Sequence, residues 1–149
     1  MRTLSLLNLM LVGALGPQLA AATLGEPEVS VQADAEQLHA SIKSEDRVGY
    51  RVHEVQLPSG TLLREFVGPD GKVFAVAWRG PYPPNLRQTL GRYFDAYVSA
   101  PNPPRSDHRH LQIQQGDLVV QASGHMRAFS GRAYLASAVP SGVNLGDLH

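Results

Sequence analysis

The stretch VGYRVHEVQLPSGTLLREFVGPDGKVFAVAW, residues 48–78, predicts a three-stranded antiparallel meander. Three runs rich in valine and aromatic residues are separated by two groups of turn-forming residues, Pro58-Ser59-Gly60 and Gly68-Pro69-Asp70-Gly71. Proline and glycine stand where turn dihedral angles favour them. The meander is therefore the segment around which the rest of the fold is interpreted.

The apolar pattern within the meander predicts how its strands face the core. In the first run the large residues change parity between Val52 and Val55, which indicates a bulge or a strand covered on both faces. In the third run Phe74, Val76 and Trp78 alternate with smaller residues. We expect these three to share the face that meets the helices.

Two helices are predicted, one on either side of the meander. Residues 30–44 place Val31, Ala35, Leu38 and Ile42 on one apolar stripe, with Ser30 as the N-cap. Residues 86–99 carry a broader stripe, preceded by Asn85 as N-cap with Gln88 at the capping-box spacing. The members of that stripe are Leu86, Leu90, Tyr93, Phe94, Tyr97 and Val98.

The remaining segments complete an α+β fold. Residues 111–123 predict a hairpin that turns at Gly116-Asp117, and residues 126–135 predict a further strand. Residues 100–110 form an exposed proline-rich loop, and residues 140–149 an irregular tail with Leu145 and Leu148 as docking points. We expect one antiparallel sheet of about six strands with both helices on one face.

Residues 1–22 have the pattern of a secretory signal peptide. Arg2 supplies the positive start, an apolar run of roughly 12 residues follows, and Ala20-Ala21-Ala22 supplies a cleavage site. The run is shorter than the ~20 residues that cross a membrane. The alternative is a short buried helix. We expect cleavage near Ala22, a single domain over residues 23–149, and a location in the periplasm or outside the cell, with no membrane span after cleavage.

Composition excludes several classes of function. The 149 residues carry 13 Lys and Arg against 13 Asp and Glu, so there is no basic field to gather nucleic acid. Cysteine is absent, which excludes disulfides, thiolate metal sites and cysteine nucleophiles. No phosphate-binding loop is present, and we expect no cofactor.

The histidines offer a weak metal-site hypothesis. His108 and His110 lie close together in the loop, and His125 is a third candidate ligand for zinc in a metal-assisted hydrolase. The spacing matches no metalloprotease motif, so a solvated polar loop is the favoured interpretation. His53 is interpreted as a residue on a strand face.

Nucleophile and acid–base chemistry have little support. There is no G-x-S-x-G motif, and Ser123 and His125 are neighbours on a predicted turn, which does not make them a catalytic pair. Glu54 and Glu65 can be placed opposite each other across the first hairpin, or one register apart, as an acid–base pair. Because Arg51 and Arg64 lie on the same strands, cross-strand ion pairs are the favoured interpretation.

Aromatic and arginine side chains supply candidate partner-binding residues, since these types anchor interfaces. One group surrounds the connector after the third strand, and another lies at the turn after residue 124. The candidates are Trp78, Arg79, Tyr82, Arg87, His125 and Arg127. Core packing is the favoured interpretation for Trp78 and the tyrosines, so Arg79, Arg127 and Arg132 carry the hypothesis better.

Several segments resemble a family of small exported proteins of Gram-negative bacteria, described only as a domain of unknown function. They include residues 49–54, 57–61, 64–67, 73–78, 86–94 and 117–129. The resemblance covers nearly the whole chain after residue 22 and implies export but no activity. Residues 30–78 also resemble, at the level of the fold, the propeptide-like (PepSY) modules that inhibit or chaperone proteases.

We interpret the chain as an exported, non-catalytic binding module with a protein or envelope partner. The interpretation rests on the leader sequence together with the lack of catalytic and cofactor motifs. The alternatives are a metal-assisted hydrolase that uses His108, His110 and His125, and a protease inhibitor of the propeptide type.

Overall fold

The computed structural model describes residues 23–37, 39–101 and 110–149. The predicted signal peptide and most of the proline-rich loop lie outside these ranges. Seven strands form one antiparallel sheet: β1 Ser41–Arg47, β2 Tyr50–Gln56, β3 Leu62–Val67, β4 Val73–Gly80, β5 His110–Gln115, β6 Leu118–His125 and β7 Ala128–Leu135. The helices are α1 Glu28–Gln37, α2 Leu86–Leu90 and α3 Phe94–Ser99. The α+β class is confirmed.

The strand order across the sheet is β1-β2-β3-β4-β7-β6-β5. The predicted meander is present as β2, β3 and β4, and the predicted hairpin as β5 and β6. The last strand, β7, pairs with both β6 and β4, so it joins the two halves of the sheet. This arrangement brings the ends of β4, β6 and β7 together, where the candidate site lies.

The first helix is shorter than predicted, and the sheet has one strand more. Helix α1 ends at Gln37, and Ser41–Arg47 forms β1 at the edge of the sheet. Every residue of β1 is exposed, so no apolar alternation marks it as a strand. A two-residue turn at Val48 and Gly49, with φ of +87° at Gly49, folds it back onto β2.

A bulge in β4 overturns the predicted parity of its large residues. Phe66 of β3 pairs with Ala75 but Val67 pairs with Val73, so Phe74 is the extra residue. Beyond the bulge Val76 and Trp78 face the helices as expected. Phe74 instead packs on the opposite face, beside Phe66 and Tyr50. Strand β2 contains no bulge. Its large residues change parity because the strand is buried on both faces.

The second predicted helix is a helical stretch in three parts. A 3₁₀ turn over Gly91–Tyr93 separates α2 from α3. The Asn85 side chain accepts a hydrogen bond from the Gln88 backbone N–H at 3.3 Å, so the predicted N-cap is confirmed. Gly91 has φ of +49°, and a Cβ there would lie 2.0 Å from Cγ2 of Thr23. The predicted stripe packs on the sheet except for Val98, which is 63% exposed.

The sheet separates two apolar clusters. One face, here called the helix face, is covered by the three helices, and its cluster includes Leu63, Val76, Trp78, Leu90 and Val120. The other, here called the tail face, is covered by residues 139–148. Its cluster includes Phe66, Phe74, Val119, Tyr134 and Leu148. Leu148 is fully buried and Leu145 packs beside it, as the sequence predicted.

Candidate functional site

A groove of about 480 Å³ opens on the tail face, near the ends of β4, β6 and β7. The C-terminal tail forms one wall through Leu148 and His149. Its polar side chains lie at positions paired across the sheet, so the strand register brings them together. The groove, here called the arginine groove, is lined by Arg64, Arg79, Arg132, His110, Gln112, Gln121, Ser123 and Ser130, among others.

Two rows of paired positions cross the groove. Arg64 pairs with Ala77, which pairs with Arg132, which in turn pairs with Gln121. Arg79 pairs with Ser130, which pairs with Ser123, which in turn pairs with His110. Residues at paired positions share one face of a sheet, and rows two residues apart face the same way. Both rows therefore project their side chains into the same groove.

Two of the arginines are held by defined hydrogen bonds. The Arg132 Nε donates to Oε1 of Gln121 at 2.7 Å, and its Nη1 donates to the Leu145 carbonyl. The Arg64 Nε donates to Oε1 of Glu54 at 3.2 Å, and its Nη1 donates to the backbone oxygen of His149. These bonds fix the direction of both guanidinium groups and fasten the tail to the sheet.

Two arginines of the groove have no acidic side chain as a partner among the described residues. Of the described residues that line it, none is Asp or Glu. Glu54 pairs with Arg64, but within residues 23–37, 39–101 and 110–149 no Asp or Glu side chain pairs with Arg79 or Arg132. Guanidinium groups stay protonated in proteins and bind carboxylate and phosphate oxygens through paired donors. The arrangement is therefore suited to an anion.

A second depression of about 340 Å³ continues from the groove and adds Arg127. Arg79 and Ser130 line both depressions. Arg127 lies in the turn between β6 and β7 with φ of +61°, a backbone conformation uncommon for residues other than glycine. Arg79 and Arg127, 48 residues apart in the sequence, thus lie on one surface.

Of the other predicted partner-binding residues, Trp78 also lines the arginine groove, whereas Tyr82, Arg87 and His125 lie outside it. Trp78 is only 4% exposed and belongs to the helix-face cluster, and a Cβ on Gly131 would lie 2.4 Å from its ring. Tyr82 is exposed in the connector after β4. Arg87 is exposed on α2, with its guanidinium 4.4 Å from the centre of the Phe94 ring. His125 is exposed at the end of β6. None of these lines the depression that Arg79 shares with Arg127.

The predicted metal ligands are only partly described. His108 lies outside the described residues, and His110 begins β5 in the arginine groove. Among the residues that the structure does describe, no group of three or more His, Asp or Glu side chains is placed to hold a metal ion. The arginine groove therefore remains the better supported site.

A second polar cluster lies at the other edge of the sheet, in a depression of about 320 Å³. His53 is buried, and its two ring nitrogens each lie 2.7 Å from an oxygen, Oγ of Ser44 and Oε1 of Glu28. Arg51 donates to the same Glu28 oxygen at 2.9 Å and is the main cause that lowers the pKa of this carboxyl below its usual 4.5. Glu28 is thereby kept ionised.

The cross-strand interpretation of the acidic residues is confirmed in part. Glu54 pairs with Arg64 across β2 and β3, whereas Arg51 pairs with Asp46 at 2.5 Å and with Glu28. Glu65 is fully buried and lies opposite His53 in the register, on the helix face. Because Glu54 lies on the tail face, the two glutamates do not form an acid–base pair.

Fold and site together define a small α+β protein, with one antiparallel sheet and an arginine-lined groove on the face away from its helices. The model of the family described as "Protein of unknown function (DUF2844)" matches residues 20–148. The chain belongs to this family, and the resemblance to a domain of unknown function is confirmed. No curated protein and no solved structure matches the chain, so the resemblance to propeptide-like modules is not supported.

Proposed function

We propose that the protein is an exported binding module that holds an anionic group of an envelope or protein partner in the arginine groove. The observation that carries the proposal is the pair Arg79 and Arg132, which face one groove with no carboxylate partner among the described residues. Ser123 and Ser130, whose hydroxyl oxygens lie 3.1 Å apart, add donors beside them. The ligand class is therefore a carboxylate or a phosphate group.

The shape of the groove also supports binding. Its volume of about 480 Å³ lies within the 300–1,000 Å³ typical of ligand sites. Its walls are assembled from five strands, β3 to β7, and the tail, and hydrogen bonds hold Arg64 and Arg132 in place. A site with its donors already oriented loses less side-chain entropy when it binds.

Arg79 gives the sharpest test, because no hydrogen bond or ion pair that the structure describes depends on it. We expect Arg79→Ala to weaken binding of an anionic probe roughly 10-fold, since a hydrogen bond to a charged group is worth about 1.5–3 kcal/mol. Arg127→Asn is expected to weaken a larger acidic probe, and asparagine tolerates the positive φ at that position. Calorimetry with inorganic phosphate and with hexaglutamate measures both effects.

Arg87→Ala is the matched control. It removes the same charge from an exposed arginine on α2, outside the arginine groove. Its affinity for both probes should equal that of the parent protein. Equal affinities for the parent and Arg79→Ala would overturn the proposal, as would binding that is indifferent to salt, because exposed charge pairs are screened. Preference for anionic phospholipid vesicles over hexaglutamate would identify an envelope lipid as the partner.

Export supplies the second part of the proposal and rests on the sequence of residues 1–22. We expect the full chain, produced in a Gram-negative host, to be recovered from the periplasm or medium with Thr23 near its N-terminus. Cell fractionation and N-terminal mass spectrometry measure this. Recovery of the uncleaved chain from the cytoplasm would contradict export. In the described ranges no helix is long and apolar enough to cross a bilayer.

A further inference from the structure

Ser44, His53 and Glu28 form a chain of hydrogen bonds that the arginine groove does not involve. The three residues come from three elements: β1, β2 and the first turn of α1. Both links in the chain are 2.7 Å long. A hydroxyl, an imidazole and a carboxylate in this order are the components of a charge-stabilised serine nucleophile.

The burial of each member suits that role. His53 is 1% exposed, whereas Ser44 is exposed and lies on the edge strand. The Glu28 side chain is 26% exposed. The base is therefore shielded from water, and the hydroxyl is open to a substrate.

The carboxylate also fixes the tautomer of the imidazole. Because Glu28 is ionised, it accepts a hydrogen bond and His53 carries its proton on Nε2. The Nδ1 lone pair then faces Ser44 and accepts its hydroxyl proton. The two ring nitrogens have exchanged places relative to the common serine–histidine–aspartate arrangement, in which serine contacts Nε2. Either nitrogen can act as the base when the other is held by a carboxylate.

We propose that Ser44 is the nucleophile of an acyl-transfer site, with His53 as general base and Glu28 as the positioning residue. The substrate class is an ester with a short acyl group, because the depression around Ser44 is small, about 320 Å³, and lined by polar side chains. The described residues that line this depression are Glu28, Gln32, Ser44, Asp46, Arg51 and His53. Gln32 and Arg51 line the same depression and carry N–H groups of the kind that stabilise a developing oxyanion.

The reaction balances without a cofactor. Ser44 Oγ attacks the ester carbonyl carbon while its proton passes to His53 Nδ1. The bond from the carbonyl carbon to the alcohol oxygen breaks, and the alcohol leaves with that proton. Water then attacks the acyl group on Ser44 and gives a proton to Nδ1. The acyl bond to Oγ breaks, the proton returns to Ser44, and the carboxylic acid is released.

A fluorophosphonate probe tests the nucleophile directly, because it phosphonylates an activated serine with loss of fluoride. We expect the intact mass of the purified full protein to rise by one adduct, which peptide mapping places on Ser44. Ser44→Ala should abolish this adduct and the hydrolysis of p-nitrophenyl acetate. Ser41→Ala is the matched control, since Ser41 is an exposed serine on the same strand without a bond to His53, and it should behave as the parent.

His53 and Glu28 are tested by rates. His53→Gln should slow labelling roughly 100-fold, the scale of a lost general base, and thermal unfolding shows whether this variant stays folded. Glu28→Gln should also slow labelling in a variant that stays folded, because the amide no longer fixes the imidazole with Nδ1 toward Ser44, and Glu28→Asp should restore part of the rate. The charged groups placed about His53 are Glu28, Asp46, Arg51 and, on β3, Glu65.

Three results would overturn the proposal: no adduct on the parent protein, an adduct at another residue, or equal hydrolysis by the parent and Ser44→Ala. A purely structural role for the three residues predicts lower stability of the variants without any adduct on the parent. The test is independent of the arginine groove, so either proposal can fail alone.

Discussion

Phe74→Ala is expected to lower the free energy of unfolding by about 3–5 kcal/mol, the range for removal of a buried phenylalanine. Phe74 is 1% exposed and lies 6.2 Å from the Tyr50 ring centre and 6.3 Å from that of Phe66. Its loss leaves a cavity in the smaller of the two apolar clusters. Urea unfolding at equilibrium, followed by fluorescence of Trp78, measures the change.

Met126→Ala is the control for this prediction, because Met126 is 95% exposed. Its effect should stay within about 0.5 kcal/mol, as is usual for surface positions. A double-mutant cycle then locates Phe74. If the bulge turns it to the tail face, Phe74→Ala couples to Phe66→Ala and not to Leu90→Ala on the helix face. Coupling to Leu90 would place Phe74 on the helix face, as simple alternation predicts, and would contradict the bulge.

The bulge illustrates where sequence reasoning about β4 reaches its limit. Alternation along the strand assigns Val76 and Trp78 to the helix face correctly, because both lie beyond the bulge. One extra residue reverses every assignment before it, including that of Phe74. No turn former marks the position, so the reversal depends on the pairing with β3, which is a tertiary property.

Strand β1 is hard to predict for a different reason: it lacks the apolar alternation that β4 has. Its residues have no buried face, so the period that reveals half-buried strands is missing. Ile42 extends the apolar spacing of α1, so the sequence predicts a helix over residues 30–44. The signal that was available is the Val48-Gly49 pair. A two-residue turn there places Ser44 opposite His53 and would have indicated their contact.

The candidate sites differ in how far the sequence predicts them. Residue type alone makes Arg79, Arg127 and Arg132 candidates, because an arginine is seldom buried. That they share one surface depends on β7 lying beside β4, which no local pattern records. The same holds for Ser44, His53 and Glu28, which three separate elements bring together.

Leu148→Ala is expected to lower the free energy of unfolding by about 2–5 kcal/mol, the range for removal of a buried leucine. Leu148 is fully buried against the tail face, and it is the main apolar anchor of the segment that covers the sheet there. We place the change near the lower limit, since an irregular segment can shift into part of the space. Urea unfolding measures it, with Ser141→Ala as an exposed control in the same tail.

The same substitution should also alter the arginine groove. In the tail, the Leu145 carbonyl accepts a hydrogen bond from Arg132, and the backbone oxygen of His149 accepts one from Arg64. When the tail loosens, both arginines lose these acceptors, and the groove loses one wall. Affinity for phosphate in Leu148→Ala should therefore fall under conditions where the domain remains folded. Unchanged affinity, with amide hydrogen exchange confirming a loosened tail, would show that the tail covers the sheet without shaping the anion site.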